Sequence, residues 1–232
     1  MWKKLKTKLN DYLWNYYHKK RKSSFTPYKN SVNLEQLKLI PLGALGSVFG
    51  ANVLTKGYEK LVLDIGDDEA ATHSLVYIGG GDHSIAEADV YYSRNKLERY
   101  SGKRVVFHYF KDMLIEEQEE VKRRIYYLLE KKMLYDVKGY VGFASRVIPW
   151  LEKIKYLQAS DTTVFCSDGN AVIYHGDKEN TDIEISEWAL MRNISVIYEA
   201  NGNCPADIFV FMEQLHEMIP EKVGRIELIA EV

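Results

Sequence analysis

Two runs of β-forming residues about a glycine-rich turn constrain this chain more than any other feature. Thr72–Ile78 (THSLVYI) is followed by Gly79, Gly80, Gly81 and Asp82, and then by Ser84–Tyr92 (SIAEADVYY). Such runs on either side of a glycine-rich turn predict an antiparallel hairpin. If Gly79, Gly80 and Gly81 form a three-residue loop, Ile78 faces Asp82 and His73 lies directly across from Glu87. Their Cβ atoms would then be roughly 4.5–5.5 Å apart. A two- or four-residue loop would send the two side chains to opposite faces, because side chains alternate along a strand.

The rest of the chain can be read around this hairpin. Residues 36–55 are apolar with Gly43, Gly46 and Gly50 interspersed, which predicts a loop followed by a strand at Asn52–Thr55. Val105–Tyr109 is a further short strand. Asp112 is a plausible N-cap for a long charged helix to about Leu134, in which Met113, Val121, Ile125 and Leu128 form a buried stripe. A glycine-containing loop and an apolar segment through Trp150 follow Tyr135-Asp136. Thr162–Phe165 leads into Cys166, and Ser167–Tyr174 reads as a short helix, weakened by Gly169-Asn170 because a glycine costs about 1 kcal/mol in a helix interior. Asn201–Pro205 is a loop, Ala206–Leu215 is helical at its start, and Arg225–Ala230 is a closing strand. No internal repeat is visible.

The N-terminus has a different character. Residues 2–21 place Trp2, Leu5, Leu9, Tyr12, Leu13 and Tyr16 at near-helical spacing with lysines between them, which predicts a basic amphipathic helix. Eight Lys or Arg stand in residues 1–22 against one acid, Asp11, whereas the whole chain has a formal charge of -2, so a basic arm is joined to an acidic body. Ser23–Asn30 is polar, contains Pro27 and reads as a linker. The expected organisation is an arm and linker over 1–30 and a single domain over 31–232. A hydrophobic fraction of 46% with 17 tyrosines supports a substantial core there rather than disorder.

No run approaches the roughly 18 apolar residues of a membrane span. The N-terminus lacks the continuous apolar region and small-residue cleavage site of a secretory signal, so a cytoplasmic or virion-associated protein is expected. Two cysteines, Cys166 and Cys204, are too few for a disulfide framework, and a single bridge between them is disfavoured because nothing else marks an oxidising compartment. HExxH and paired CxxC motifs are absent, so no metal is expected. Gly79–Gly81 lacks the Lys-Ser/Thr of a phosphate loop. His83 adjoins the turn and suits loop geometry better than catalysis, and the acidic run Glu116–Glu120 reads as solvated surface.

Cysteine hydrolysis requires a thiolate, a base for its proton, and a group that orients the base. Cys166 opens a segment predicted to be helical, where unpaired amides and the helix dipole favour a thiolate and can stabilise an oxyanion. Taken alone, a free cysteine in this setting is more often a small interior hydrophobe. His73 can serve as the base, and Glu87 can accept the imidazole N–H that sets its tautomer. Taken alone, such a pair is more often a surface histidine and a solvated glutamate.

Five segments in order strengthen the reading. Ala51-Asn52-Val53-Leu54, the hairpin THSLVYIGGGDHSIAEADV, Tyr135-Asp136, Phe165-Cys166-Ser167-Asp168 and Cys204-Pro205-Ala206-Asp207 follow one another with fitting gaps. Together they resemble the circularly permuted papain-like hydrolases of the NlpC superfamily, the YiiX/YaeF-like group. Asn52 replaces the family's Asp and Asp168 its Glu, and the unusual segment Gly57–Ala71 could alter the cleft. The resemblance implies an α+β permuted papain-like (NlpC-type) fold: a mostly antiparallel sheet or partial barrel packed against helices, here with a basic N-terminal helix. It implies Cys166 as nucleophile, His73 as base, Glu87 as the third polar residue and Tyr135 near the thiol, with no cofactor.

The leading expectation is an amidase or peptidase, for instance on cell-wall peptides, working through a thioester. The alternatives are an acyl hydrolase or acyltransferase on lipids, and a structural or virion-associated protein that retains the fold. The arm over residues 1–22 suits an anionic membrane surface, nucleic acid or an assembly partner, or is simply a solvated terminal helix.

Overall fold

The hairpin is present in the computed structural model, which describes residues 34–50, 71–89, 91–100, 102–135, 163–164, 166–175 and 205–228. The expected basic arm, its linker, the strand at Asn52–Thr55, and residues 136–162 and 176–204 lie outside the described residues.

The described chain is α+β. A short helix α1 (Leu34–Lys38) precedes strands β1 (Leu45–Phe49), β2 (Ala71–Gly79), β3 (Ser84–Ala88) and β4 (Tyr92–Lys96). A 3-10 turn (Leu97–Tyr100), β5 (Val105–Phe110) and the long helix α2 (Ile115–Lys131) follow. The remaining elements are β6 (Leu134–Tyr135), β7 (Thr163–Val164), α3 (Cys166–His175), α4 (Pro205–Met218) and β8 (Val223–Leu228). Six strands form an open sheet in the order β4-β3-β2-β1-β5-β8, and every neighbouring pair is antiparallel.

Alternation along the strands divides the core between the two faces of the sheet. Leu45, Val76, Ile78, Ala86, Ala88 and Phe110 pack with Val121, Ile125 and Leu128 of α2, with Ile173 and Tyr174 of α3, and with Phe211 and Leu215 of α4. Val48, Leu75, Tyr77, Ile85, Val105 and Phe107 pack on the other face with Leu37, Ile40, Leu97 and Tyr100. Burial on both faces explains the apolar runs in β1 and β2.

Several expectations need correction. The segment read as a loop before residue 52 contains β1, and Gly46 sits inside that strand. A Cβ on Gly46 would lie 2.3 Å from Leu75 Cδ1 and 2.8 Å from Phe107 Cε1, so close packing selects the glycine that had suggested a loop. The run Ser84–Tyr92 is not one strand: it breaks near Asp89, whose N–H bonds Tyr91 O at 3.2 Å, and β4 turns back along β3. Helix α2 starts at Ile115 rather than at Asp112, with Leu114 at the N-cap and the Glu117 carboxylate accepting the Leu114 N–H at 2.9 Å. The acidic run is therefore only partly solvated. Glu117 is buried at this cap, and Glu120 is buried against Arg123 and Arg124.

The hairpin register also differs. Gly79 pairs with Ser84, which leaves a four-residue loop, Gly80–His83. Gly79 (φ 82°), Gly80 (φ 88°) and His83 (φ 47°) take left-handed conformations in and beside this turn. Such a loop alone would put His73 and Glu87 on opposite faces. A bulge between Tyr77 and Gly79 inserts Ile78 as an extra residue and restores the parity, so that Tyr77 pairs with Ile85 and Val76 with Ala86. Continuing that register sets Glu87 opposite Leu75, with His73 two residues further along the same face.

Candidate functional site

Strand β2 carries His73 where β2 runs beyond its ladder with β3, paired on its other side with Val48 of β1. Diagonal neighbours on one face are about 7–8 Å apart at the backbone, within reach of two long side chains. The His73 Nε2–H donates to Glu87 Oε2 at 2.8 Å. Glu87 lies on β3, one residue before its end, and its side chain is fully buried.

A carboxylate can be buried at such a position only if its oxygens are satisfied. Both are. Oε1 accepts Asn95 Nδ2 at 2.9 Å and a short hydrogen bond from Arg99 Nη1; Oε2 accepts His73 and a short hydrogen bond from the Tyr100 hydroxyl. The other Arg99 terminal nitrogen, Nη2, reaches Asp89 Oδ2 at 3.0 Å. The Tyr100 ring lies 5.9 Å from the His73 ring, tilted by 34°. Sequence reasoning missed Asn95, Arg99 and Tyr100 because it missed β4. The available signal was the polar alternation Ser93, Asn95, which the Glu87–Ser93 pairing puts beside the carboxylate.

The imidazole also lies near Cys166, whose side chain favours its charged form. Nε2 is occupied by Glu87, so Nδ1 is the ring nitrogen left for the thiol. Cys166 is a free thiol, 2% exposed, and is the first residue of α3. Burial is the largest influence on His73 and opposes its charged form. The charge and hydrogen bond of Cys166, then the hydrogen bond and charge of Glu87, outweigh it and raise the imidazole from 6.5 to about 10. His73 keeps 14% of its side chain exposed, so the ring is not sealed from solvent.

The helix that carries Cys166 is fixed from three sides. It continues through Gly169-Asn170, contrary to the weakening expected there, since tertiary packing overrides a propensity of this size. Gly169 is buried, and Asn170 Nδ2 makes a long 3.5 Å hydrogen bond to Leu75 O on β2. Tyr174 donates its hydroxyl to Gly43 O at 2.5 Å. Arg124 of α2, 1% exposed, donates Nη1 to Ile173 O at 3.1 Å and Tyr174 O at 3.3 Å, satisfying carbonyls that the helix end leaves open. Its Nε holds Glu120 Oε1 at 2.6 Å.

Tyr135 belongs to β6, which runs parallel to β7 with Tyr135 paired to Val164. Its backbone is thus one strand away from the residues that lead into Cys166; its side chain lies outside the description. Cys204 also lies outside the described residues. His83 shares a 2.8 Å hydrogen bond with the Tyr77 hydroxyl and belongs to the turn. Among the described residues no group of three His, Cys, Asp or Glu side chains could hold a metal ion, and no helix is long and apolar enough to cross a membrane. Compared with known protein families, with curated proteins and with solved structures, the chain matches none.

Proposed function

We propose that this protein is a cysteine hydrolase of the permuted papain-like type, with Cys166 as nucleophile, His73 as acid and base, and Glu87 as the group that orients the imidazole. One observation carries the reading: a single imidazole, on a strand far from Cys166 in the chain, bonds a buried carboxylate and lies close enough to that cysteine for it to raise the imidazole pKa. A structural cysteine has no need of a histidine whose second nitrogen is also engaged. The open antiparallel sheet, with helices packed against it and a histidine that precedes the cysteine, is compatible with the permuted architecture.

In this reading His73 holds the proton of Cys166, and the thiolate sulfur attacks the carbonyl carbon of an amide. The carbonyl electron pair moves to oxygen, where the backbone amides at the start of α3 can stabilise it. Collapse breaks the C–N bond, and the imidazolium gives its proton to the departing amine. A thioester on Cys166 remains. His73, now neutral, takes a proton from water as the hydroxide oxygen attacks the thioester, the C–S bond breaks, and the acid product leaves with the site restored. Glu87 keeps Nε2 protonated throughout, so that Nδ1 exchanges the proton.

The substrate class proposed is a peptide amide, such as a cell-wall peptide. The test is alkylation of Cys166 at about pH 6, where an ordinary thiol is almost wholly protonated. Labelling faster than a free peptide cysteine, lost in Cys166→Ala and slowed in His73→Ala, supports the proposal; labelling no faster than the free thiol removes it. Turnover of muropeptides against acyl-lipid esters then separates amide from acyl-ester chemistry.

A further inference from the structure

Glu87 takes part in more interactions than the hydrolase reading uses. Orienting an imidazole requires one carboxylate oxygen, yet both oxygens of Glu87 are occupied, and the acceptor sites of the oxygen that does not touch His73 are filled by Asn95 and Arg99. Arg99 is itself 6% exposed and spans two carboxylates, Glu87 through Nη1 and Asp89 through Nη2. Asp89, 19% exposed, lies at the rim of this cluster. Charges therefore alternate in sign from Asp89 through Arg99 and Glu87 to the imidazole.

We propose that Arg99 is a positioning residue: anchored by Asp89, its planar fork clamps Glu87 so that Oε2 is presented to His73. The inference rests on the hydrolase reading for its purpose, but its geometry is independent of any substrate. Without the fork, a fully buried carboxylate loses its main counter-charge. It then either rotates toward other donors or takes up a proton, and both responses release His73 Nε2. A lysine keeps the charge but cannot hold two carboxylates in one plane.

The sign of the response separates this role from simple electrostatics. If Arg99 acted only as a nearby positive charge, removing it would make His73 easier to protonate. If it is a clamp, removing it costs His73 its carboxylate partner, and protonation becomes harder. The other groups around the pair are Cys166 on α3, Tyr100 on the 3-10 turn, Asn95 and Tyr92 on β4, and they are unchanged in every variant below.

The experiment follows the His73 ring proton resonances by NMR across a pH titration in the full chain, for the unmodified protein, Arg99→Gln and Arg99→Lys. A fall in the His73 midpoint by about one unit or more in Arg99→Gln is expected, with a smaller fall in Arg99→Lys; one unit is a tenfold change in the protonation equilibrium. An unchanged or raised midpoint in folded Arg99→Gln, even with a lower melting temperature, overturns the proposal and leaves Arg99 a structural ion pair. Should Arg99→Gln not fold, Arg99→Lys decides: it keeps the charge, so a lowered midpoint supports the clamp and an unchanged or raised one overturns it. Failure of the hydrolase reading is seen separately, as absence of enhanced Cys166 alkylation in the unmodified protein, and leaves the titration result intact.

Discussion

His73 and Glu87 are two residues out of direct cross-strand opposition and still share a 2.8 Å hydrogen bond, because the bulge at Ile78 returns both side chains to one face of the sheet. The bulge is what makes a four-residue loop compatible with this pair. A chain with the same loop and no bulge would turn Glu87 into the opposite core, away from the imidazole.

Replacement of Glu87 tests that bond directly. Glu87→Gln keeps the volume but removes the charge that Arg99, Tyr100 and His73 all address. Breaking one side of a buried charged cluster costs on the order of 3 kcal/mol, so chemical denaturation should show a loss of about that size. Alkylation of Cys166 at neutral pH should slow by about 10²-fold, in the range for misplacing an acid–base group. Unchanged alkylation in a folded variant would separate Glu87 from the thiol.

The pH dependence of stability follows from His73. Its folded-state pKa, about 10, lies above the ordinary 6.5, so its contribution to stability is complete below about pH 6.5 and disappears as pH rises through about 10. Denaturation free energies measured from pH 6 to pH 10 should decline over that window, and the decline should be smaller in Cys166→Ala. Burial alone depresses the imidazole, so in Cys166→Ala the His73 midpoint should move down as well. A midpoint indifferent to residue 166 is incompatible with the thiol–imidazole contact.

Arg124 governs how the helix that carries Cys166 is held. Arg124→Met preserves length and removes the donors to Ile173 O and Tyr174 O, while Glu120 retains Arg123 as a partner. Leaving these groups unpaired should lower stability by about 2–4 kcal/mol, read as a shift of the urea midpoint. Slower alkylation of Cys166 in the folded variant would show that the far end of α3 sets the position of its first residue.

Gly43 should tolerate no side chain. Its φ is 89°, and an added Cβ would lie 2.8 Å from Val121 Cγ1 and 3.3 Å from the Tyr174 hydroxyl oxygen. Gly43→Ala combines left-handed strain with overpacking between α2 and α3, and a loss of about 2–3 kcal/mol in thermal or chemical denaturation is expected. A variant as stable as the original would show that the α3 end can move freely.

Elements with strong local patterns were legible: the β2–β3 hairpin, β5, the apolar stripe Val121, Ile125, Leu128 of α2, and the helix after Cys166. The misreadings have a common cause. Gly46 suggested a loop because a glycine normally weakens a strand, yet it is required there by Leu75 and Phe107, residues distant in sequence. β4 was invisible because its pattern is polar and its turn at Asp89 carries no glycine. With β4 went Asn95, Arg99 and Tyr100, three of the four side chains that hydrogen-bond Glu87.

The sequence by itself determined which residues are chemically able to act: a cysteine at the start of a helix, and a histidine and a glutamate on the two arms of one hairpin. Local composition and alternation suffice for that, because propensity and turn chemistry act over a few residues. Only the tertiary structure decided that they meet. Contact between Cys166 and His73 depends on α3 docking against β2, and the face shared by His73 and Glu87 depends on a single extra residue in a strand. The first follows from packing between segments that are far apart in the chain, and the second from a one-residue bulge that the strand alternation and the turn residues do not specify.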